Sequence, residues 1–274
     1  MNFDLKPGDV ALMGIPLDRH SSFLQGPAFA PGRIREVLHN GAANLTSETG
    51  VDLGTAENWK DTGDVEVFEE FGAAPIEKIK QATIDRIKAG AKVLSLGGDH
   101  SVAFPLIDAH AKCYDGLNVL HIDAHPDLYE NQLDNPYAHG SPFARIMETG
   151  RVKRLVQVGI RTLNKHQREQ AEKYGVEIVD MMSWRQDMEF AFDGPVYMSL
   201  DLDGLDPAFA PGVSHHEPGG LSTREVLSII QRFKGDLVGA DIVELNPHRD
   251  VNDVTAMVAA KLLKEIAGRL LQSS

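Results

Sequence analysis

The chain carries one cysteine, Cys113, and that scarcity removes two classes of architecture. A single thiol closes no internal disulfide and supplies no cysteine-rich zinc site. Within a helical run beside apolar neighbours, Cys113 reads as a small core residue. Positive charge is short as well: 27 Lys and Arg stand against 40 Asp and Glu, leaving −13 at pH 7. Nucleic acid and anionic membrane both require basic surface, so neither is expected as a partner. The acidic balance suits solubility alone or a cationic small molecule. Long apolar runs are missing too, since no stretch reaches the roughly 18 residues that span a bilayer. Met1 to Val10 lacks a basic start followed by an apolar run, so no leader is read there and a cytoplasmic protein is expected.

What is present alternates between strand and helix. Apolar runs at Asp9–Pro16, Ala91–Leu96, Asn118–Asp127, Leu155–Ile160, Val176–Val179, Pro195–Asp203 and Leu237–Leu245 read as strands. Helical periodicity covers Pro31–Leu38, Pro75–Gly90, Val102–Tyr114, Phe143–Thr149, Lys165–Tyr174, Thr223–Phe233 and Val254–Leu271. Leu17–Gly32 reads as a surface loop, and 41–64 as an irregular polar stretch whose Asp52, Asp61 and Asp64 are solvated. No linker, repeat or low-complexity tract divides residues 1–274, so one domain is expected. Its class is α/β, three-layer α/β/α with a mostly parallel central sheet covered on both faces.

One stretch organises this pattern: Asn118-Val-Leu-His-Ile-Asp-Ala-His-Pro-Asp127. In a strand, alternate side chains share a face, which puts Val119, His121, Asp123 and His125 together. Pro126 cannot donate to a ladder and should hand Asp127 to a loop. Carboxylates at the end of a buried strand are costly unless something of opposite sign neutralises them. Pro195–Asp203 repeats the design, with Tyr197, Ser199, Asp201 and Asp203 alternating. Gly97-Gly98 after another strand introduces His100. In parallel sheets ligands bind at the carboxyl ends of strands, and every one of these clusters falls there.

His100, Asp123, His125, Asp127, Asp201 and Asp203 therefore form a candidate metal set. The four carboxylates balance two divalent cations, and bridging aspartates serve both ions when these lie about 3.5–4 Å apart. Oxygen-rich ligation with two imidazoles suits Mn²⁺ better than a thiolate-seeking metal. His121 reads as a supporting or core residue deeper on the same face. His20, His39, His110 and His166 lack clustered partners and read as structural or exposed, whereas His215 and His216 lie on a loop that reaches towards the site.

Gly97-Gly-Asp-His-Ser101, Asp123-Ala-His-Pro-Asp127, Ser199-Leu-Asp-Leu-Asp-Gly-Leu-Asp-Pro207 and Glu244-Leu-Asn-Pro247 together resemble the ureohydrolase (arginase/agmatinase) family. The similarity runs from Asp9 to the final helix and is greatest to the plant-type arginases. The segments carrying that closer match are Tyr137–Met147, Gly159–Lys165, Ala208–Ser214, Glu217–Ser222 and Met257–Leu262. The resemblance implies two Mn²⁺ per subunit, one held by His100, Asp123, Asp127 and Asp201. The other is held by His125, Asp123, Asp201 and Asp203, and the pair activates water against a guanidinium carbon. It further implies that Glu244 pairs with the guanidinium. Asp127 takes the proton of the attacking water, and His139 passes a proton to the leaving amine. Asn164 stands near the position where animal arginases place an acidic residue for the substrate's amino group; as a neutral amide it discriminates less. Also implied are a trimer or hexamer and a small cationic guanidino substrate, with L-arginine yielding L-ornithine and urea as the leading reaction. Agmatinase activity, or hydrolysis of another guanidino acid, is the alternative. A metallophosphatase would want further histidines late in the chain. A non-catalytic metal-binding scaffold would have lost a ligand or Glu244, and none is lost.

Overall fold

Apolar strands with no polar alternation must be covered on both faces, and the computed structural model, which describes residues 4–272, meets that demand with three layers. The strands are β1 Val10–Gly14, β2 Trp59–Asp64, β3 Lys92–Leu96, β4 Asn118–Ile122, β5 Arg154–Ile160, β6 Glu177–Asp180, β7 Ala191–Asp201 and β8 Lys234–Val243. They form one sheet in the order β2-β1-β3-β8-β7-β4-β5-β6, parallel at each pairing. The helices are α1 Ala30–His39, α2 Ala73–Lys88, α3 Ala103–Cys113, α4 Pro142–Glu148, α5 Lys165–Tyr174, α6 Thr223–Arg232 and α7 Val254–Gln272.

Side chains alternate across the sheet. Leu12, Leu94, Leu120, Val156, Met198 and Ile242 pack with α1, α6 and α7. Met13, Val93, Val119, Leu155, Tyr197 and Val238 pack with α2, α3, α4 and α5. Fully burying each such side chain contributes about 1.5–3 kcal/mol, and that burial fixes the register of every strand. The chain runs from β3 to β4 across the room later filled by β8 and β7. Strands β3, β8, β7 and β4 are therefore neighbours, and their carboxyl ends open side by side.

Three expectations need correction. The polar stretch 41–64 ends in a strand, β2, which pairs with β1 at the sheet edge; an edge strand needs no apolar alternation. Asp61 and Asp64 on it are exposed, as expected, and pair with Arg35 at 2.7 and 2.5 Å. The Leu17–Gly32 segment is only partly surface, since Leu17, Asp18 and His20 are buried. Cys113 ends α3 half-buried instead of sitting in the core.

The segments preceding α1 and α3 touch at Gly98. A Cβ there would lie 1.7 Å from the Leu17 carbonyl oxygen. That oxygen accepts from Asp99 N (2.8 Å), while the Gly98 carbonyl accepts from Glu244 N (2.9 Å). The obstacle is backbone, so it cannot swing aside. Gly98→Ala should cost about 1–3 kcal/mol through overpacking, seen as a lower urea midpoint with an unchanged slope.

Candidate metal centre and cleft

The strands stop where aspartates take over the hydrogen bonding. Strand β4 ends at Ile122, before Pro126, because Asp123 Oδ1 accepts the N–H of His125 at 2.6 Å. Strand β7 ends at Asp201, whose Oδ1 accepts the N–H of Asp203 at 2.8 Å. After β3, Asp99 Oδ1 accepts from Ser101 N at 3.1 Å and starts a short 3₁₀ turn carrying His100. Each is a side chain closing on the backbone two residues ahead, a local bond that competes with the ladder. The two-residue spacing of these acids thus comes from turns, not from the pleat inferred for His125 and Asp203. Asp127 (φ 48°) and Glu244 (φ 65°) lie in the left-handed region, a strained backbone found where side-chain aim matters.

These turns converge. His100 Nδ1 lies 3.0 Å from Asp123 Oδ2, 3.0 Å from Asp127 Oδ2 and 3.1 Å from Asp201 Oδ2. His125 Nδ1 lies 3.0 Å from Asp203 Oδ2 and 3.4 Å from Asp123 Oδ1. All six candidate donors are thereby brought together.

A row of polar side chains beneath them sets the imidazoles. Ser95, Asp241, Ser199, His121 and Gln157 stand in register on β3, β8, β7, β4 and β5. Asp241 accepts from Ser199 Oγ and from Tyr197 OH, both at 2.8 Å. With its proton committed to Asp241, Ser199 Oγ accepts from His100 Nε2–H at 3.0 Å. That leaves the Nδ1 lone pair of His100 facing three carboxylate oxygens, buried and without a hydrogen-bond partner. A bare lone pair ringed by anionic oxygens is repulsive, and a divalent cation at their focus makes all four atoms donors. The donor set fits such an ion.

His121 is different. Gln157 Nε2 donates to the Pro126 carbonyl (2.7 Å) and to His121 Nδ1 (3.0 Å), so His121 donates Nε2–H to Asp123 Oδ2 at 2.8 Å. Both ring nitrogens are used, and although His121 lies within reach of a cluster with His100 and Asp123, it orients Asp123 in place of ligating.

The electrostatics record the same excess of negative charge. Burial, reinforced by Asp203 and Asp123, pushes the Asp201 carboxyl well up. Burial pushes Asp203 up to about 6 against the pull of His125. Burial opposes a charge on His100, yet Asp123, Asp127 and Asp201 outweigh it and push its pKa well up, so the Nδ1 lone pair among them is one that attracts a proton or a metal cation. The pocket recruits positive charge.

Above this floor is a cleft of about 170 Å³, lined by Asp127, Asp201, Asp203, His125, His139, His215 and Glu244 among others. Glu244 Oε1 accepts from His100 N and pairs with His139 Nδ1, each at 2.9 Å. His139 Nε2 lies 2.8 Å from Ser22 Oγ. Burial raises the Glu244 carboxyl, but the bond and charge of His139 outweigh it and leave it ionised, below its ordinary value.

His215 lines the cleft, its ring 5.3 Å from that of His139, whereas His216 points away to the Pro211 carbonyl. Asn164 is not at the cleft wall. Its Oδ1 caps α5 at Gln167 N (2.9 Å) and its Nδ2 donates to Tyr129 OH (2.6 Å). Tyr129, Ser22 and Glu217 do line it; Glu217 opens one of the matching segments but was given no role there, and Tyr129 and Ser22 lie in none. The 158–162 segment leading to Asn164 and the Glu217 motif were the available signals.

Fold and donor set define a three-layer α/β protein with a candidate metal centre at the carboxyl edge of its sheet. The profile of the Arginase family matches residues 8–268, and the chain belongs to that family: it is a ureohydrolase. The mitochondrial arginase of Medicago truncatula is 45% identical over 95% of this chain and 81% of its own. The human mitochondrial guanidino acid hydrolase is 35% identical over 94% of this chain and 77% of its own. Among solved structures, the Medicago truncatula arginase superposes with a TM-score of 0.90 at 42% identity, covering 98% of this chain and 89% of that one. A Clostridium difficile putative agmatinase gives 0.86 at 27% identity, covering 99% of each. The cytoplasmic expectation is overturned here. Similar plant arginases bear the names mitochondrial or chloroplastic/mitochondrial, which points away from the cytoplasm. The expectation had rested on ten N-terminal residues, and their composition does not fix a compartment. Among the described residues no helix is long and apolar enough to cross a membrane.

The His139–Glu244 pair has a pH signature. Burial lowers His139, but the bond and charge of Glu244, then Asp99 and Asp127, outweigh it and raise the ring to about 9. A histidine raised on folding stabilises fully below its unfolded value of about 6.5. That contribution is lost as pH rises through 9. Chelator-treated wild type should therefore lose urea stability between pH 7 and 10, and Glu244→Gln should flatten that decline. Parallel pH curves for the two proteins would refute the pairing.

Proposed function

We propose that this enzyme hydrolyses L-arginine to L-ornithine and urea with two manganese ions. The observation that carries the reading is the His100 lone pair focused with three carboxylate oxygens beneath an ionised, buried Glu244. The choice of arginine is supported by the 45% identity to an arginase.

In this reading His100, Asp123, Asp127 and Asp201 hold one ion, and His125, Asp123, Asp201 and Asp203 hold the other. Two divalent ions held by these residues would lower the pKa of bound water towards neutrality. The protein's own groups do the rest. Glu244, whose Oε1 is held by His100 N and His139, offers its other oxygen to the guanidinium N–H groups and fixes them over the site. Asp127, on the cleft wall, takes the proton released as water attacks the guanidinium carbon. His139 holds a proton at a ring nitrogen and delivers it to the departing amine. Ser22 and Glu244, one on each ring nitrogen, keep His139 from rotating. Asn164 acts on the substrate's tail through Tyr129. The chain works as a homotrimer or homohexamer, a reading favoured by the exposed aromatics Phe29, Phe68 and Phe71.

Urea release from L-arginine, agmatine and 4-guanidinobutyrate, measured side by side with Mn²⁺, tests the substrate. L-Arginine should show the highest kcat/KM; agmatine ahead by tenfold would make the enzyme an agmatinase. Asp201→Ala should bind fewer metal ions by mass spectrometry and lower kcat by at least about a thousandfold. Unchanged urea production in that variant would overturn the catalytic assignment.

A further inference from the structure

Glu217 is a carboxylate on the cleft wall with nothing to do. It lines the same cavity as Asp127, Asp203 and Glu244, yet among the described residues its side chain takes part in no hydrogen bond or ion pair. Its backbone, by contrast, is pinned. The Glu217 carbonyl accepts from Arg161 Nε at 2.8 Å and from Arg161 Nη2 at 2.5 Å. The same guanidinium donates to the carbonyls of Asp203 (2.7 Å) and Gly159 (3.0 Å). One rigid fork therefore ties the loop of Glu217 to the turn that carries Asp203. Five N–H donors in fixed geometry make arginine suited to this task.

The rest of the cleft leaves this carboxylate without a competitor. Asn164, the residue first considered for the substrate's amino end, is spent on capping α5 and on Tyr129. Among the described residues the cleft wall contains no lysine or arginine to neutralise Glu217. Glu244 is already taken by His139 on its inner side. A ligand with a cation at each end matches this arrangement: the guanidinium seated on Glu244, and a second positive group reaching Glu217. An ion pair sheltered by a cleft is screened less than one on open surface.

We propose that Glu217 is a specificity-determining residue that receives the ammonium group of the substrate's tail. The inference rests on the guanidino-hydrolase reading of the site and adds which side chain selects amine-bearing substrates. L-Arginine and agmatine both place an ammonium four carbons from the guanidino nitrogen. 5-Guanidinopentanoate is L-arginine without that group.

The test compares kcat and KM for L-arginine and 5-guanidinopentanoate in wild type, Glu217→Gln and Glu217→Asp. Glu217→Gln should lower the ratio of kcat/KM for arginine over the des-amino analogue by about tenfold, with the loss falling on KM. Glu217→Asp should recover part of it. Calorimetry gives a readout independent of turnover: wild type should bind L-ornithine more tightly than 5-aminopentanoate, and Glu217→Gln should narrow that gap by a similar factor. Preference for the amine retained in Glu217→Gln, or equal losses on both substrates, overturns the assignment of Glu217 alone. A wild type that cleaves neither compound overturns the reading of the site on which it rests.

Discussion

Four aspartates share one buried pocket at the edge of a sheet, and this concentration of negative charge is the constraint from which the rest follows. Isolated buried carboxylates cost far more than a protein's net stability permits. The structure meets the cost partly with neighbours. Histidines on three sides outweigh burial and hold Asp123 well below the usual carboxylate range, and peptide N–H groups cap Asp201 and Asp203. Those donors do not suffice, as the raised Asp201 and Asp203 carboxyls indicate. The remaining demand is for cations, and a pocket with that demand is selective for them by construction.

Precision at the pocket is inherited from the sheet. The polar row from Ser95 to Gln157 crosses five strands at one level, and its donors and acceptors form a directed chain. Tyr197 and Ser199 give their protons to Asp241, which obliges Ser199 to accept from His100. A one-residue slip of any strand would send its member of the row to the opposite face, among the apolar contacts of α1, α6 and α7. Apolar packing therefore specifies histidine tautomers two layers of hydrogen bonds away. Core and chemistry share one register.

Much of this was legible in the residues. Strand-like runs ending in Asp or His, repeated in separate segments, pointed to a parallel sheet and to its carboxyl edge, and the family motifs named the chemistry. The parts that were not legible share a physical cause. The ends of β4 and β7 depend on side-chain bonds to backbone that a pattern of apolar residues does not encode. Strand β2 has the polar composition of a loop because an edge needs little burial. Ser22 and Glu217 reach the cleft through long-range packing, one next to His139 and the other under the Arg161 fork. A neutral Asn164 looked like the substrate's contact because the demands of helix capping on it are visible only once α5 is built.

That contrast separates chemistry from selection within one cleft. The six candidate donors and Glu244 sit within five residues of strand ends, where the sheet allows little displacement. Tyr129, His215 and Glu217, elsewhere on the cleft wall, ride on loops whose placement is fixed by a few polar ties. Such loops can change residue without disturbing the sheet, since altering Glu217 leaves the polar row and its tautomers intact. Arginine, agmatine and the guanidino acids share the guanidino group and differ in the tail that carries it. A floor fixed by the sheet with walls carried on loops lets the walls change without disturbing the donor set, and the relatives at 45% and 35% identity bear two different names, arginase and guanidino acid hydrolase.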